Sequence, residues 1–242
     1  MTSCTALYRK HPHRKHPHRK HPHGKHSQRR QAGGFTLIEI LVVIVILSLL
    51  MAYLLPKITS GTNAAKQMAC QSNMRQNFYA PMQAYKVSHS GKLPKPSGIH
   101  MLWALWKSGV IEHTEKNMEK FFCPGVEHGG EEDRMEELKA LGVDNIWKVR
   151  EDFTSLDTDY AVIARRKKMD SGRTPWMADD NEFGNNHPNG INILYGDGTA
   201  KFLSRDQDLK EWWDEEDPDF VFPVGPNSPH PDLQKLTNGS GS

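Results

Sequence analysis

One acid, Glu39, interrupts an otherwise apolar run, FTLIEILVVIVILSLLMAYLL, that extends from Phe35 to Leu55. A carboxylate at bilayer depth costs a few kcal/mol, so it calls for a proton or a partner cation. Two glycines, Gly33 and Gly34, stand immediately before the run; lacking a Cβ, they leave the backbone free to extend. A second set of chemistry-bearing residues lies far downstream. His187, with Asp179, Asp180 and Asp197 near it in sequence, has the donor types of a metal site, and calcium is the ion that oxygen donors would take. No EF-hand-like spacing accompanies them, and the structural alternative gives His187 a hydrogen bond at a sheet edge and Asp197-Gly198 a turn. Cys70 and Cys123 form a third pair. An oxidising compartment would permit a disulfide between them, closing a loop of about 50 residues worth roughly 4 kcal/mol; two unpaired buried thiols are the alternative. Neither cysteine has a second ligand at zinc-site spacing, so no metal site is assigned and no cofactor is expected, calcium remaining the single candidate. No Ser/His/Asp or Cys/His catalytic spacing occurs, which argues against an enzyme.

The elements that must position these residues follow from pattern. The 21 residues from Phe35 to Leu55 would make a helix of about 31 Å, close to the thickness of a hydrocarbon core. Pro56 should kink that helix without ending it. Beyond it Cys70, Met74, Phe78, Met82 and Tyr85 recur at helical spacing and mark one apolar face that docks on a globular part. Pro81 should bend the helix near its end, and SHSGKLPKPSG (88–98) stops it. HMLWALWKSG (100–109) reads as a short helix closed by Gly109, FFCPG (121–125) as a turn, and EEDRMEELKALG (131–142) as a helix with acids in its first turn. The last third is β-rich, with strands at DYAVIAR (159–165) and TPWMAD (174–179). INILYGDGTAKFL (191–203) reads as a hairpin on a two-residue I′ turn at Asp197-Gly198, with Ile191, Ile193 and Tyr195 on one face and Ala200 and Phe202 as cross-strand partners. EWWDEEDPDF (211–220) is an acidic, aromatic stretch read as a solvated face. Pro, Asn, Gly and Ser from Pro223 onward suggest a flexible tail.

Charge is partitioned along the chain. Nine of the 31 basic residues and none of the 29 acidic ones lie in residues 1–34, so the remainder is net −7 although the whole is +2. Positive charge flanking an apolar span marks the cytoplasmic side, while an acidic body argues against nucleic acid as a partner. The basic head repeats RKHPH at 9–13, 14–18 and 19–23 and holds seven of the 13 histidines. It reads as a low-complexity basic leader, although a His-rich tract can also bind metal.

The stretch GGFTLIEILVVIVIL resembles the processing signal of type IV prepilins and type II secretion pseudopilins. The resemblance covers about 25 residues. It implies cleavage between Gly34 and Phe35 by a prepilin peptidase, methylation of the new amine at Phe35, and a role for Glu39 in assembly, paired with the α-amine of a neighbouring subunit. Pro56 falls where many members have a helix-kinking proline. The leader, at 34 residues, is long for this family. A looser resemblance covers the rest. CQSNMRQNFYAPMQAY (70–85), FFCPG, and His187 followed after nine residues by Asp197-Gly198 are similar to elements of the large prepilin-like families of planctomycetes, with Thr199 where many members have histidine.

The expected architecture is α+β, a long N-terminal transmembrane helix packed on a small antiparallel head. Its parts are a cleaved leader (1–34), a long helix (35–88, in the membrane over 35–55), a periplasmic head (89–222) and a flexible tail (223–242). The resemblance implies a single-pass inner-membrane subunit with its leader in the cytoplasm. Its partners would be the lipid bilayer, the peptidase, other pilin or pseudopilin subunits and an inner-membrane assembly platform, and it would build a pseudopilus or a pilus-like filament. The rival reading is a membrane-anchored binding module that borrows the signal for targeting only.

Overall fold

The computed structural model describes residues 35–126, 140, 142, 153–164, 172–180 and 184–239. The helix expected over 131–142 therefore lies almost wholly outside the described residues. The chain forms two compact units, Met1–Leu49 and Leu50–Ser242. In the first, helix α1 (Leu37–Asn73) begins, and every described residue is exposed. From Leu37 to Leu55 the helix is long and apolar enough to cross a membrane by length and composition, and it continues through Pro56 without interruption.

In the second unit α1 gives way at Met74–Tyr79 to a π-helical stretch, and α2 (Ala80–Ser88) follows. Pro81 explains the widening: it has no N–H to give to the carbonyl four residues back, and just before it the Ala80 N–H reaches five residues back, to Arg75 O. Such wider turns interrupt α-helices locally. The expected apolar face is real, with Cys70, Met74, Phe78 and Met82 buried and Tyr85 partly so. Phe78 meets Phe121 and Tyr160 edge-on, at centroid distances of 5.2 and 5.5 Å. Burying a side chain of that size stabilises by about 1.5–3 kcal/mol. Helix α3 (His100–Lys107) turns Leu102, Leu105 and Trp106 into the same core. It ends at Gly109, whose φ of +74° and N–H bond to Trp106 O match the expected cap. The short helix α4 (Glu115–Met118) is capped by Thr114, whose side chain accepts from the Asn117 N–H.

The sheet is antiparallel in every pairing, ordered β4-β3-β2-β1-β5, with β1 at Tyr160–Ile163, β2 at Pro175–Asp179, β3 at Gly190–Tyr195, β4 at Ala200–Ser204 and β5 at Leu236–Thr237. Strands β1, β2 and β3 are buried along their whole length, as central strands covered on both faces must be. The class is therefore α+β and pilin-like, as expected.

Two expectations are corrected. The β3–β4 turn is not I′. Asp197 keeps a negative φ, Gly198 alone is left-handed at +86°, and the Gly198 N–H closes a turn on Tyr195 O. That is a type I turn followed by a bulge, one residue longer than expected. The extra residue slips the register by one: Leu194, not Tyr195, faces Ala200, and Asn192, not Ile193, faces Phe202, which exchanges cross-strand partners throughout the hairpin. Nor is the segment after Pro223 loose as far as residue 239. Leu233 and Leu236 are buried, and Leu236–Thr237 pairs with β1 as the edge strand. Its composition is that of a flexible tail, but a few leucines and one strand ladder suffice to dock it.

Candidate functional site

Glu39 sits at the third position of α1, and Thr36 is the residue just before the helix. The Thr36 N–H and hydroxyl both donate to Glu39 Oε2 at 2.7 Å, and the Glu39 N–H donates back to Thr36 Oγ1 at 3.3 Å. This is a capping box, in which side chains replace the partners that a helix N-terminus lacks. The Thr-x-x-Glu spacing was legible in FTLIE, yet an apolar run draws attention to the cost of the acid and away from its local partner. Phe35 is exposed just ahead of the helix; Gly34 lies outside the described residues.

The second constellation was not expected as a whole. Cys70 projects from α1, Cys123 stands in the Cys-Pro-Gly turn, Asp179 ends β2 and His187 lies in the β2–β3 connection. Their ligand atoms all lie within 4.8 Å of one another, and all four residues are buried. Cys70 Sγ donates to Asp179 Oδ1 at 2.7 Å. His187 Nε2 is 3.4 Å from Asp179 Oδ2 and 3.5 Å from Cys123 Sγ. Both cysteines are free thiols, brought together but not bridged. Of the carboxylates considered beside His187, the fold delivers Asp179 and not Asp180 or Asp197. His187 and Asp197 lie beyond opposite ends of β3, and Asp197 is exposed in the turn, its Oδ1 accepting from the Thr199 N–H.

The surrounding residues hold this quartet in place. Asn73, one helical turn from Cys70, donates to Lys120 O at 2.8 Å and to Tyr160 Oη at 2.7 Å, fixing the strip that leads to Cys123. The Cys123 N–H donates to Asp159 Oδ2 at 2.7 Å, and the Gly125 N–H donates to Cys123 Sγ at 3.3 Å. The Asn192 N–H donates to Asp179 Oδ2 at 2.8 Å. The Cys-x-x-Asn and Phe-x-Cys-Pro elements are thus two halves of one contact.

Proton affinities follow from this packing. Burial, with Cys123 and Asp179 close by, pushes the Cys70 thiol well above its ordinary value. Cys123 is held lower, chiefly by the Cys70 hydrogen bond and further by His187, against its own burial. Burial raises Asp179, and His187 partly offsets that. Burial alone would lower His187, but Cys123 and Asp179 outweigh it and the imidazole is raised.

Asp197-Gly198 has a structural role. Tyr79, on the π-helical stretch, donates its hydroxyl to Gly196 O at 3.2 Å. A β-carbon on Gly198 would stand 2.7 Å from the Tyr79 ring, so the glycine provides both the left-handed φ and the close approach.

Comparison with known proteins bears on the first constellation. Residues 29–55 match the family described as the prokaryotic N-terminal methylation motif. The chain is similar to the competence protein ComGC of Halalkalibacterium halodurans, 33% identical over 82 residues, which are 34% of this chain and 74% of that protein. It is 31% identical over 83 residues to ComGC of Bacillus subtilis, covering 34% of this chain and 84% of that protein. With the type II secretion system core protein G of Pseudomonas aeruginosa it shares 37% identity over 93 residues, 38% of this chain and 63% of that protein. No solved structure matches the chain.

Proposed function

The chain belongs to the type IV prepilin and pseudopilin family, and we propose that it is a membrane-anchored building block of a type II secretion pseudopilus or a pilus-like filament. One observation carries the reading. From Leu37 to Leu55 the apolar surface of α1 is exposed along its whole length. Such a surface calls for lipid first, and packed copies of the same helix can cover it afterwards. The basic leader faces the cytoplasm and the head the periplasm. A prepilin peptidase cuts between Gly34 and Phe35 and methylates the new amine. The cut supplies the cation that Glu39 needs at low dielectric, either the chain's own amine or that of a neighbour in the stack. An assembly platform in the inner membrane then extracts the subunit. The chain is a substrate of the peptidase and a structural subunit, not an enzyme.

Mass spectrometry of the protein from cells with and without the peptidase tests this reading, together with its recovery in sheared filaments. A mature chain beginning at methylated Phe35 and present in filaments is the expected result. An intact leader in peptidase-positive cells would overturn it.

A further inference from the structure

We propose that Cys70, Cys123, Asp179 and His187 form a structural metal site of the zinc class, which ties the N-terminal helix to the sheet of the head. The four ligand atoms lie within 4.8 Å of one another, and the side chains come from four separate segments: α1, the Cys-Pro-Gly turn, β2 and the β2–β3 connection. A tetrahedral ion with metal–nitrogen and metal–oxygen bonds of about 2.1 Å and metal–sulfur bonds of about 2.3 Å sets its N and O ligands about 3.4 Å apart and its N and S ligands about 3.6 Å apart. The His187–Asp179 and His187–Cys123 separations are 3.4 and 3.5 Å, while the 2.7 Å Cys70–Asp179 contact, a hydrogen bond as long as the thiol keeps its proton, must open when the thiolate turns to the ion. The donors are two thiols, one imidazole and one carboxylate, a set that suits zinc and is too soft for calcium or magnesium.

Burial supplies a second, independent argument. Cys70, Cys123 and Asp179 have no exposed surface and His187 has 3%. A sealed carboxylate is costly without a compensating charge, and within the cluster His187 alone can offer one. A divalent ion supplies that charge as it displaces the thiol protons, and the extra imidazole proton where His187 carries one, to solvent, leaving two thiolates, a carboxylate and a neutral imidazole around it. An outer layer of donors is already in place. The Gly125 N–H points at Cys123 Sγ and the Asn192 N–H at Asp179 Oδ2, as expected of ligands oriented from behind. The site lies in the head, apart from the processing signal, and holds whether or not the chain enters a filament.

The test uses the full chain, purified in detergent without chelators, and measures its zinc content, its free thiols after denaturation and its cobalt(II) spectrum. About one zinc per chain beyond any that the histidines of residues 11–26 hold, alkylatable thiols at Cys70 and Cys123 in addition to Cys4 once the metal is chelated, and intense cobalt absorption from thiolate ligands are expected. Cys123→Ser and His187→Ala should each lower metal content at least tenfold. Asp179→Asn keeps the side chain's shape and should weaken binding with less disturbance of the fold. The cobalt titration of the unaltered chain needs no variant, so a variant that fails to fold leaves the test intact. A Cys70–Cys123 disulfide in the isolated protein would overturn the proposal. So would free thiols at Cys70 and Cys123 in a chain whose cobalt spectrum lacks thiolate absorption.

Discussion

Gly125 faces the ring of His187 so closely that a β-carbon on it would stand 2.6 Å from Cε1 and 3.1 Å from Nδ1. The same carbon would lie 3.3 Å from Cys123 Sγ. The glycine of the Cys-Pro-Gly turn is therefore a spacer that lets the turn close over the imidazole. Its φ is not in the left-handed region, so the cost of a larger residue is steric. Gly125→Ala should destabilise the head by about 1–3 kcal/mol, the usual range for overpacking a filled core, measured as a lowered urea midpoint. It should also reduce bound zinc, because it displaces two of the four ligands. An unchanged midpoint would mean that His187 has room to retreat.

Glu39 has two separable roles, a local one in the capping box with Thr36 and a proposed one as the partner of an amine. Glu39→Gln keeps an acceptor for the cap and removes the charge. Thr36→Ala removes the cap, at about 0.5–2 kcal/mol of helix stability, and keeps the charge. If the charge governs assembly, both variants are processed but only Glu39→Gln is lost from sheared filaments. Equal incorporation of the two would assign Glu39 to the cap alone.

The reach of the sequence is clearest where spacing is local. The apolar span, the stripe from Cys70 to Met82, the Gly109 cap and strands β1 and β2 follow from periodicity and turn chemistry within a few residues. The metal-type cluster does not, because Cys70 and Cys123 belong to segments that only the tertiary fold joins, and Asp179 and His187 lie far from both. A search for paired ligands at finger-like spacing passes over such a set. The interval between His187 and Asp197-Gly198 spans β3 and places one residue beyond each end, so Asp197-Gly198 forms the turn, in line with the structural alternative. The hairpin register missed by one because a single φ, that of Asp197, separates the two turn types.

Gly198 combines a φ of +86° with a close approach to Tyr79. Gly198→Ala should cost about 1–2 kcal/mol for the left-handed backbone, with a further steric loss against the ring. The two components separate in a double-mutant cycle. In a Tyr79→Leu background the steric part should shrink and the backbone part persist, giving a coupling of about 0.5–3 kcal/mol in thermal or urea unfolding. Strict additivity would show that the ring does not limit the turn.

The segment after Pro223 should respond to acid through His230. This half-buried residue lies edge-on to Trp212 with centroids 5.7 Å apart, and its Nδ1 accepts from the Asp232 N–H at 3.3 Å. Burial lowers its proton affinity, only partly offset by Asp232 and Asp208, and Lys235 adds to the lowering. The folded chain thus prefers neutral His230, while the unfolded chain takes up a proton at about pH 6.5. The contribution to stability is full above that value and is lost as pH falls from about 6.5 toward the lowered folded value. Protonation also removes the lone pair that the Asp232 N–H uses. Urea midpoints compared at about pH 7 and about pH 5 should fall further for the natural chain than for His230→Gln. Acid loss of the proposed metal at the cysteine cluster would occur in both chains and would cancel in the comparison. Equal falls would remove His230 as the source of acid sensitivity in this segment.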